Sequence, residues 1–131
     1  GAHTRFWLSP DDAVDVILRA MDGTVRGQHV LIPRLRSLSM GEMCRAVAGQ
    51  DAPIRETGNR PGEKLHESLL SLTESVRTVE VDDRYVALMP PDSAPVNHRP
   101  YALESSTAPR LTAEELWAMI ENARDIVEVE R

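Results

Sequence analysis

Short strand-like runs alternating with helical periods, start signals ahead of three helices, and a length of 131 residues predict one small α/β (α+β) domain. It should hold short strands and about four helices. A chain of this size can bury roughly two-thirds of its unfolded surface, so a core is attainable. The strands are few and do not obviously complete a sheet. A domain built this way is expected to need a partner surface, supplied by another domain or by self-association.

The first element is a short apolar strand in "RFWL". "SPDDAVDVILRAMDG" then reads as a helix: Ser9 is the N-cap, Pro10 takes the first helical position, and Asp11 and Asp12 complement the positive end of the dipole. Val14, Ile17, Leu18 and Met21 recur at helical spacing, and Gly23 ends the run. "QHVLIP" has the nearly continuous apolar centre of a buried strand. In "SMGEMCRAVAG" Ser39 and Glu42 form a capping box, Met43, Cys44 and Val47 the expected buried stripe, and Gly49 the stop.

"APIRETG" reads as a further strand, and Leu65, Leu69 and Leu72 mark a third helix beginning near Glu63. "SVRTVEVDDRYVALMP" alternates on both sides of Asp82-Asp83, as a hairpin or two short strands would. Residues Pro90 to Pro109 hold five prolines and read as an extended surface segment. The last helix opens on a Thr112/Glu115 capping box with Leu111 stapled to Leu116; Leu116, Met119, Ile120 and Ala123 form its apolar face.

Composition narrows the function. A net charge of -6 argues against general nucleic-acid binding, which needs a surplus of Lys and Arg, but leaves room for a local basic pocket for a small anion. Cys44 is the one cysteine, so neither an internal disulfide nor a cysteine metal cluster can form; it reads as core. His29, His66 and His98 lack metal-ligand spacing. No apolar run approaches the ~18 residues of a membrane span, and no signal-peptide pattern opens the chain. Gly1-Ala2-His3 reads as a cloning remnant, and the cytoplasm is the expected compartment.

The densest chemistry lies in "RPGEK", Arg60 to Lys64. Pro61 stiffens the turn and biases Arg60 toward extended backbone. Gly62 allows a tight turn or the close approach of a ligand. Arg60 offers a fork of donors suited to phosphate oxygens, and Glu63 a pure acceptor suited to paired sugar hydroxyls. On spacing alone the plainer reading is favoured, a loop in which Arg60 and Glu63 pair or face water, since exposed pairs contribute only about 0–1 kcal/mol.

A family resemblance reverses that weighting. "TRFWLSPDDAVDVILRAM", "GQHVLIPRLRSLSMGEMCRAVAG" and "GNRPGEKLHESLLS", in this order and spacing, resemble the C-terminal part of UDP-N-acetylglucosamine 4,6-dehydratases, polysaccharide-biosynthesis proteins of the CapD type. These are extended short-chain dehydrogenase/reductases of capsule and flagellin-glycan synthesis. "YALESSTAPRLTAEELW" resembles their ending. The resemblance implies that Arg5 and Arg60 grip a UDP pyrophosphate and that Glu63 takes the ribose hydroxyls, at roughly 1.5–3 kcal/mol per charge-assisted contact. Arg34 is a weaker candidate facing the phosphates. Its segment departs from the family's usual V-P-K-I-P-S-M-K, with Arg36 for a proline and Ser39 for a lysine. His66, with Glu67, is expected to pack or hydrogen-bond behind the site, a direct ligand role being the weaker assignment; Lys64 is expected to be solvated.

The reaction itself is not written in this chain. The resemblance implies a nicotinamide cofactor, NAD(P), whose glycine-rich strand-to-helix fingerprint is absent; the seven glycines are scattered. The Tyr-x-x-x-Lys pair of these dehydrogenases is absent too, because Tyr85 and Tyr101 are followed four residues on by Met89 and Ser105. The expectation is therefore a UDP-sugar-binding domain, not catalytic alone, that carries no cofactor and works beside an upstream or separate Rossmann domain. Without that domain "QHVLIP" would leave an exposed edge. Two alternatives stand: an assembly module of the same fold that takes no ligand, and an enzyme of another type.

Overall fold

The computed structural model describes residues 3–23 and 25–128. Gly1 and Ala2, read above as part of a cloning remnant, lie outside the described residues. The mixed α/β class holds. The elements run β1 (Thr4–Trp7), α1 (Pro10–Met21), β2 (Val30–Pro33), β3 (Arg36–Ser39), α2 (Met40–Ala48), β4 (Ser68–Leu70), α3 (Leu72–Ser75), β5 (Thr78–Glu80), β6 (Tyr85–Leu88), β7 (Leu103–Glu104) and α4 (Ala113–Glu128).

The strands form three small antiparallel sheets: β1 with β3, β2-β6-β5, and β4 with β7. β1 and β3 pair in a register that sets Arg5 opposite Leu38 and Trp7 opposite Arg36. The expected hairpin closes as β5 and β6, with Asp82 accepting the N–H groups of Arg84 and Tyr85 at its tip. Ile32, Leu70 and Val86 make the buried centre, and Leu69, Leu88, Tyr101 and Leu103 pack around it.

The helix starts follow local chemistry. Ser9 caps α1 by accepting from Asp12 N–H, and Ser39/Glu42 close both arms of the capping box on α2. Thr112 and Glu115 exchange the same two bonds ahead of α4. A further box, Ser71/Glu74, opens the one-turn α3 and was not read from the sequence.

Five expectations are corrected. No helix begins near Glu63: the chain turns at Pro61–Gly62, bends at Leu65–His66 and enters β4 at Ser68. A helix there would need the Leu65 and Glu67 carbonyls for its own amides, but they accept from Thr4 N–H and Ser105 N–H. Leu70, which lies outside the assumed helical period, is the fully buried leucine of this stretch, while Leu65 and Leu72 are exposed. "APIRETG" forms no strand and lies largely in solvent, with no strand beside it to complete a ladder. "LRSLS" instead supplies β3. The Pro90–Pro109 segment is not wholly superficial, because it contributes β7 and the fully buried Ser105.

The last two corrections concern β2 and α2, whose apolar residues were expected to be buried. β2 is an edge strand paired only with β6, so Ile32 alone is buried and Val30 is exposed. The stripe of α1 is uncovered, its exposure running from 53% at Val14 to 77% at Met21. On α2 no residue is fully buried and Val47 is exposed. Leu116 of α4, by contrast, is buried as its period predicts.

Candidate functional site

Arg60-Pro61-Gly62-Glu63 is a tight turn closed by Glu63 N–H donating to the Arg60 carbonyl at 3.0 Å. Gly62 has φ +82°, the left-handed position that Pro at the preceding corner and Gly next produce in a type II turn. The Glu63 carboxylate closes the turn a second time. Its Oε2 accepts Arg60 N–H at 3.1 Å. Sequence neighbours thus fix the spacing of the two residues without tertiary help.

Arg5 arrives from β1. Its Nη1 donates to the Thr4 carbonyl at 2.8 Å and the Leu65 carbonyl at 3.3 Å. Nη2 reaches Glu63 Oε1 at 3.5 Å, and Nε lies 3.6 Å from Glu67. Arg5 therefore ties the strand to both carboxylates of the motif. Among the described residues no side chain hydrogen-bonds or ion-pairs with the Arg60 guanidinium, which is exposed and available to an anion.

The Glu63 carboxyl is held below its ordinary range, chiefly by the Arg60 N–H bond, opposed by desolvation and assisted by the charges of His3, Arg5 and Arg60. It is a ready acceptor at neutral pH.

Arg60 and Glu63 line an open cleft of about 570 Å³, a size that suits a small-molecule ligand. The Ile54–Asn59 loop forms one wall and Met40, Gly41 and Cys44 of α2 another, with His3 between. Cys44, expected in the core, is a half-buried wall residue of this cleft. The signal was present: Met40 and Cys44, four apart, share a helix face.

The other predicted residues divide. Arg34 does not line this cleft. It leaves the end of β2 to bind Glu80 through two bonds of 3.0 and 2.8 Å, with Tyr101 hydroxyl at 3.1 Å and the Tyr101 ring 5.2 Å from its guanidinium carbon. His66 sits behind the motif, its Nδ1 2.8 Å from Thr4 Oγ1, and Lys64 is exposed. Sequence reasoning missed Thr4 and Ser105. Their hydroxyls lie 2.7 Å apart in the buried joint below the turn, and the 101-residue separation left no local signal.

Among the described residues no glycine-rich turn opens onto a helix N-terminus. α1, α2 and α4 are capped by their own Ser9, Ser39 and Thr112 side chains, and the turns ahead of them contain no glycine. The described residues therefore do not fit a nicotinamide dinucleotide. Among them no group of three or more His, Cys, Asp or Glu side chains could hold a metal ion. No helix of the described residues is long and apolar enough to cross a membrane.

The sequence profile of the family described as "Polysaccharide biosynthesis protein" matches residues 2–89. The chain belongs to this family. Arg5, Arg34, Arg60, Glu63 and His66 all fall within the matched residues. Among its relatives is the UDP-N-acetylglucosamine 4,6-dehydratase (inverting) of Campylobacter jejuni, 33% identical over 82 residues, which are 63% of this chain and 24% of that protein. The UDP-glucose 4-epimerase of Rickettsia canadensis is 28% identical over 104 residues, 77% of this chain and 30% of the epimerase. The chain thus spans a quarter to a third of the length of these curated relatives. Among solved structures, Pen from Bacillus thuringiensis superimposes with a TM-score of 0.71 at 23% identity, over 92% of this chain and 37% of that one. That likeness extends the fold beyond the family-matched residues. The dehydratase-like resemblance read from the motifs therefore holds for this chain.

Proposed function

We propose that this polysaccharide biosynthesis protein grips the UDP end of a nucleotide sugar, UDP-HexNAc by its resemblance, in the cleft beside the Arg60–Glu63 turn. Arg60 takes the pyrophosphate. Glu63 accepts from the ribose hydroxyls, and Arg5, which does not itself line the cleft, braces Glu63 and keeps one Nη2 N–H for a phosphate oxygen. Arg34, tied to Glu80 and Tyr101, is no longer needed for this role, and His66 supports the motif from behind. The dehydratase or epimerase chemistry resides with a Rossmann domain, upstream or separate, that brings NAD(P); this chain is not catalytic alone and works in the cytoplasm.

The observation that carries this reading is the exposed Arg60 cation set across one turn from the Glu63 anion at the mouth of a 570 Å³ cleft. Calorimetric titration with UDP tests it. Wild-type chain should bind, and Arg60→Ala should lose at least tenfold in affinity, as removal of a charge-assisted contact of about 1.5–3 kcal/mol requires. Binding that Arg60→Ala leaves unchanged, or no binding even when the cofactor domain is supplied, would overturn it.

A second reading, an assembly module without a ligand, is favoured by the exposed stripe of α1 and the free edge of β2. It predicts silence in the same titration together with association through α1.

A further inference from the structure

The geometry points to Ser105 as a positioning residue for the nucleotide clamp, an inference that rests on the nucleotide reading above. Ser105 is fully buried and lies beyond the family-matched residues, at the end of β7. Its Oγ accepts Glu67 N–H at 2.8 Å and is 3.1 Å from the Thr4 carbonyl, to which it donates. Its own N–H donates to the Glu67 carbonyl at 2.8 Å. The Thr4 hydroxyl lies 2.7 Å from Ser105 Oγ and 2.8 Å from His66 Nδ1.

This places Ser105 in direct contact with two of the groups that hold Arg5, Thr4 and Glu67. The Thr4 carbonyl that it holds also accepts from Arg5 Nη1, and the Glu67 backbone that it clasps on both sides carries the carboxylate beside Arg5 Nε. Arg5 in turn reaches Glu63. A buried donor–acceptor set of this kind is rigid when complete and costly when one member is missing, because the partner groups are left unpaired away from water. Ser105 thus sets where β1 stands against the descending arm of the motif, and with it the placement of Arg5 against Glu63. Four residues drawn from three distant segments fix a geometry that the turn alone cannot set.

The test uses the full chain. UDP affinity is measured for wild type, Ser105→Ala, Thr4→Val, Arg5→Ala and the Ser105→Ala/Arg5→Ala double variant, with backbone amide exchange followed in parallel. Ser105→Ala should weaken UDP roughly three- to tenfold, the loss expected of one buried hydrogen bond. In the Arg5→Ala background it should weaken UDP no further, because its effect passes through Arg5. Amides at Thr4 and Glu67 should exchange faster while Ile32 and Val86 keep their protection.

Thr4→Val, which keeps the side-chain shape, carries the same expectation where Ser105→Ala fails to fold. Unchanged affinity, losses that add fully to those of Arg5→Ala, or uniformly faster exchange would overturn the inference. Wild type that takes up no UDP, even with the cofactor domain supplied, overturns the nucleotide reading by itself. The exchange pattern then decides whether Ser105 holds the Arg5 joint: selective acceleration at Thr4 and Glu67 sustains it, and any other pattern sinks it.

Discussion

Glu63 is the residue on which the motif's chemistry turns. One carboxylate oxygen closes the turn on Arg60 N–H and the other faces Arg5, so the side chain is both a structural latch and the proposed ribose acceptor. Its carboxyl is depressed below the ordinary 4.5, first by the Arg60 N–H bond. The sign follows from linkage. A depressed carboxyl stabilises the native turn at pH values above the unfolded value, and that contribution is lost as pH falls through the native value. The window therefore lies below about pH 4.5. Carboxyl NMR should show Glu63 titrating below an ordinary glutamate, with the Arg60 amide resonance moving in step. A normal midpoint, or an Arg60 amide that ignores it, would contradict the latch.

Three helices here start on the same device, an N-cap hydroxyl and a glutamate three residues on. Ser39/Glu42, Ser71/Glu74 and Thr112/Glu115 each exchange two bonds. Each glutamate is depressed by that exchange: Glu42 and Glu115 first by the cap backbone N–H, Glu74 first by the Ser71 hydroxyl. α2 bears on function, since its Met40, Gly41 and Cys44 wall the cleft. Ser39→Ala should cost about 1 kcal/mol in urea denaturation, with the loss shrinking below about pH 4.5 as Glu42 is protonated. A loss that is the same at pH 3 and pH 7 would mean that the Ser39 hydroxyl and the Glu42 carboxylate act independently.

The molecule as a whole has a small centre and a large uncovered apolar surface. Leu70 is fully buried beside Ile32 and Val86, whereas Ile17 of α1 is 60% exposed. Leu70→Ala should therefore cost about 2–5 kcal/mol, and Ile17→Ala should change stability by no more than about 0.5 kcal/mol. Comparable losses in equilibrium unfolding would show that the α1 stripe is covered in solution. Burial of that stripe against the proposed Rossmann domain, or against a second copy, would explain why a solvent-facing helix keeps Val14, Ile17, Leu18 and Met21.

What the sequence determined by itself is what residues within about four positions can settle. The N-cap at Ser9, the boxes at Ser39 and Thr112, the hairpin across Asp82-Asp83 and the Arg60–Glu63 turn were all legible. Each is a hydrogen-bond exchange or a backbone preference whose partners are chain neighbours. The family was legible too, because R-P-G-E-K-L-H-E is a specific string. Helical spacing of leucines after Glu63 misled, since the backbone carbonyls of that stretch go to Thr4 and Ser105 instead of to a helix. β3, the Ile54–Asn59 wall of the cleft, the partners of Arg34 and the Thr4–Ser105 joint were likewise decided only in the tertiary structure. Their physical cause is common: each depends on a backbone or buried polar group satisfied by a partner far along the chain, and no local pattern names that partner.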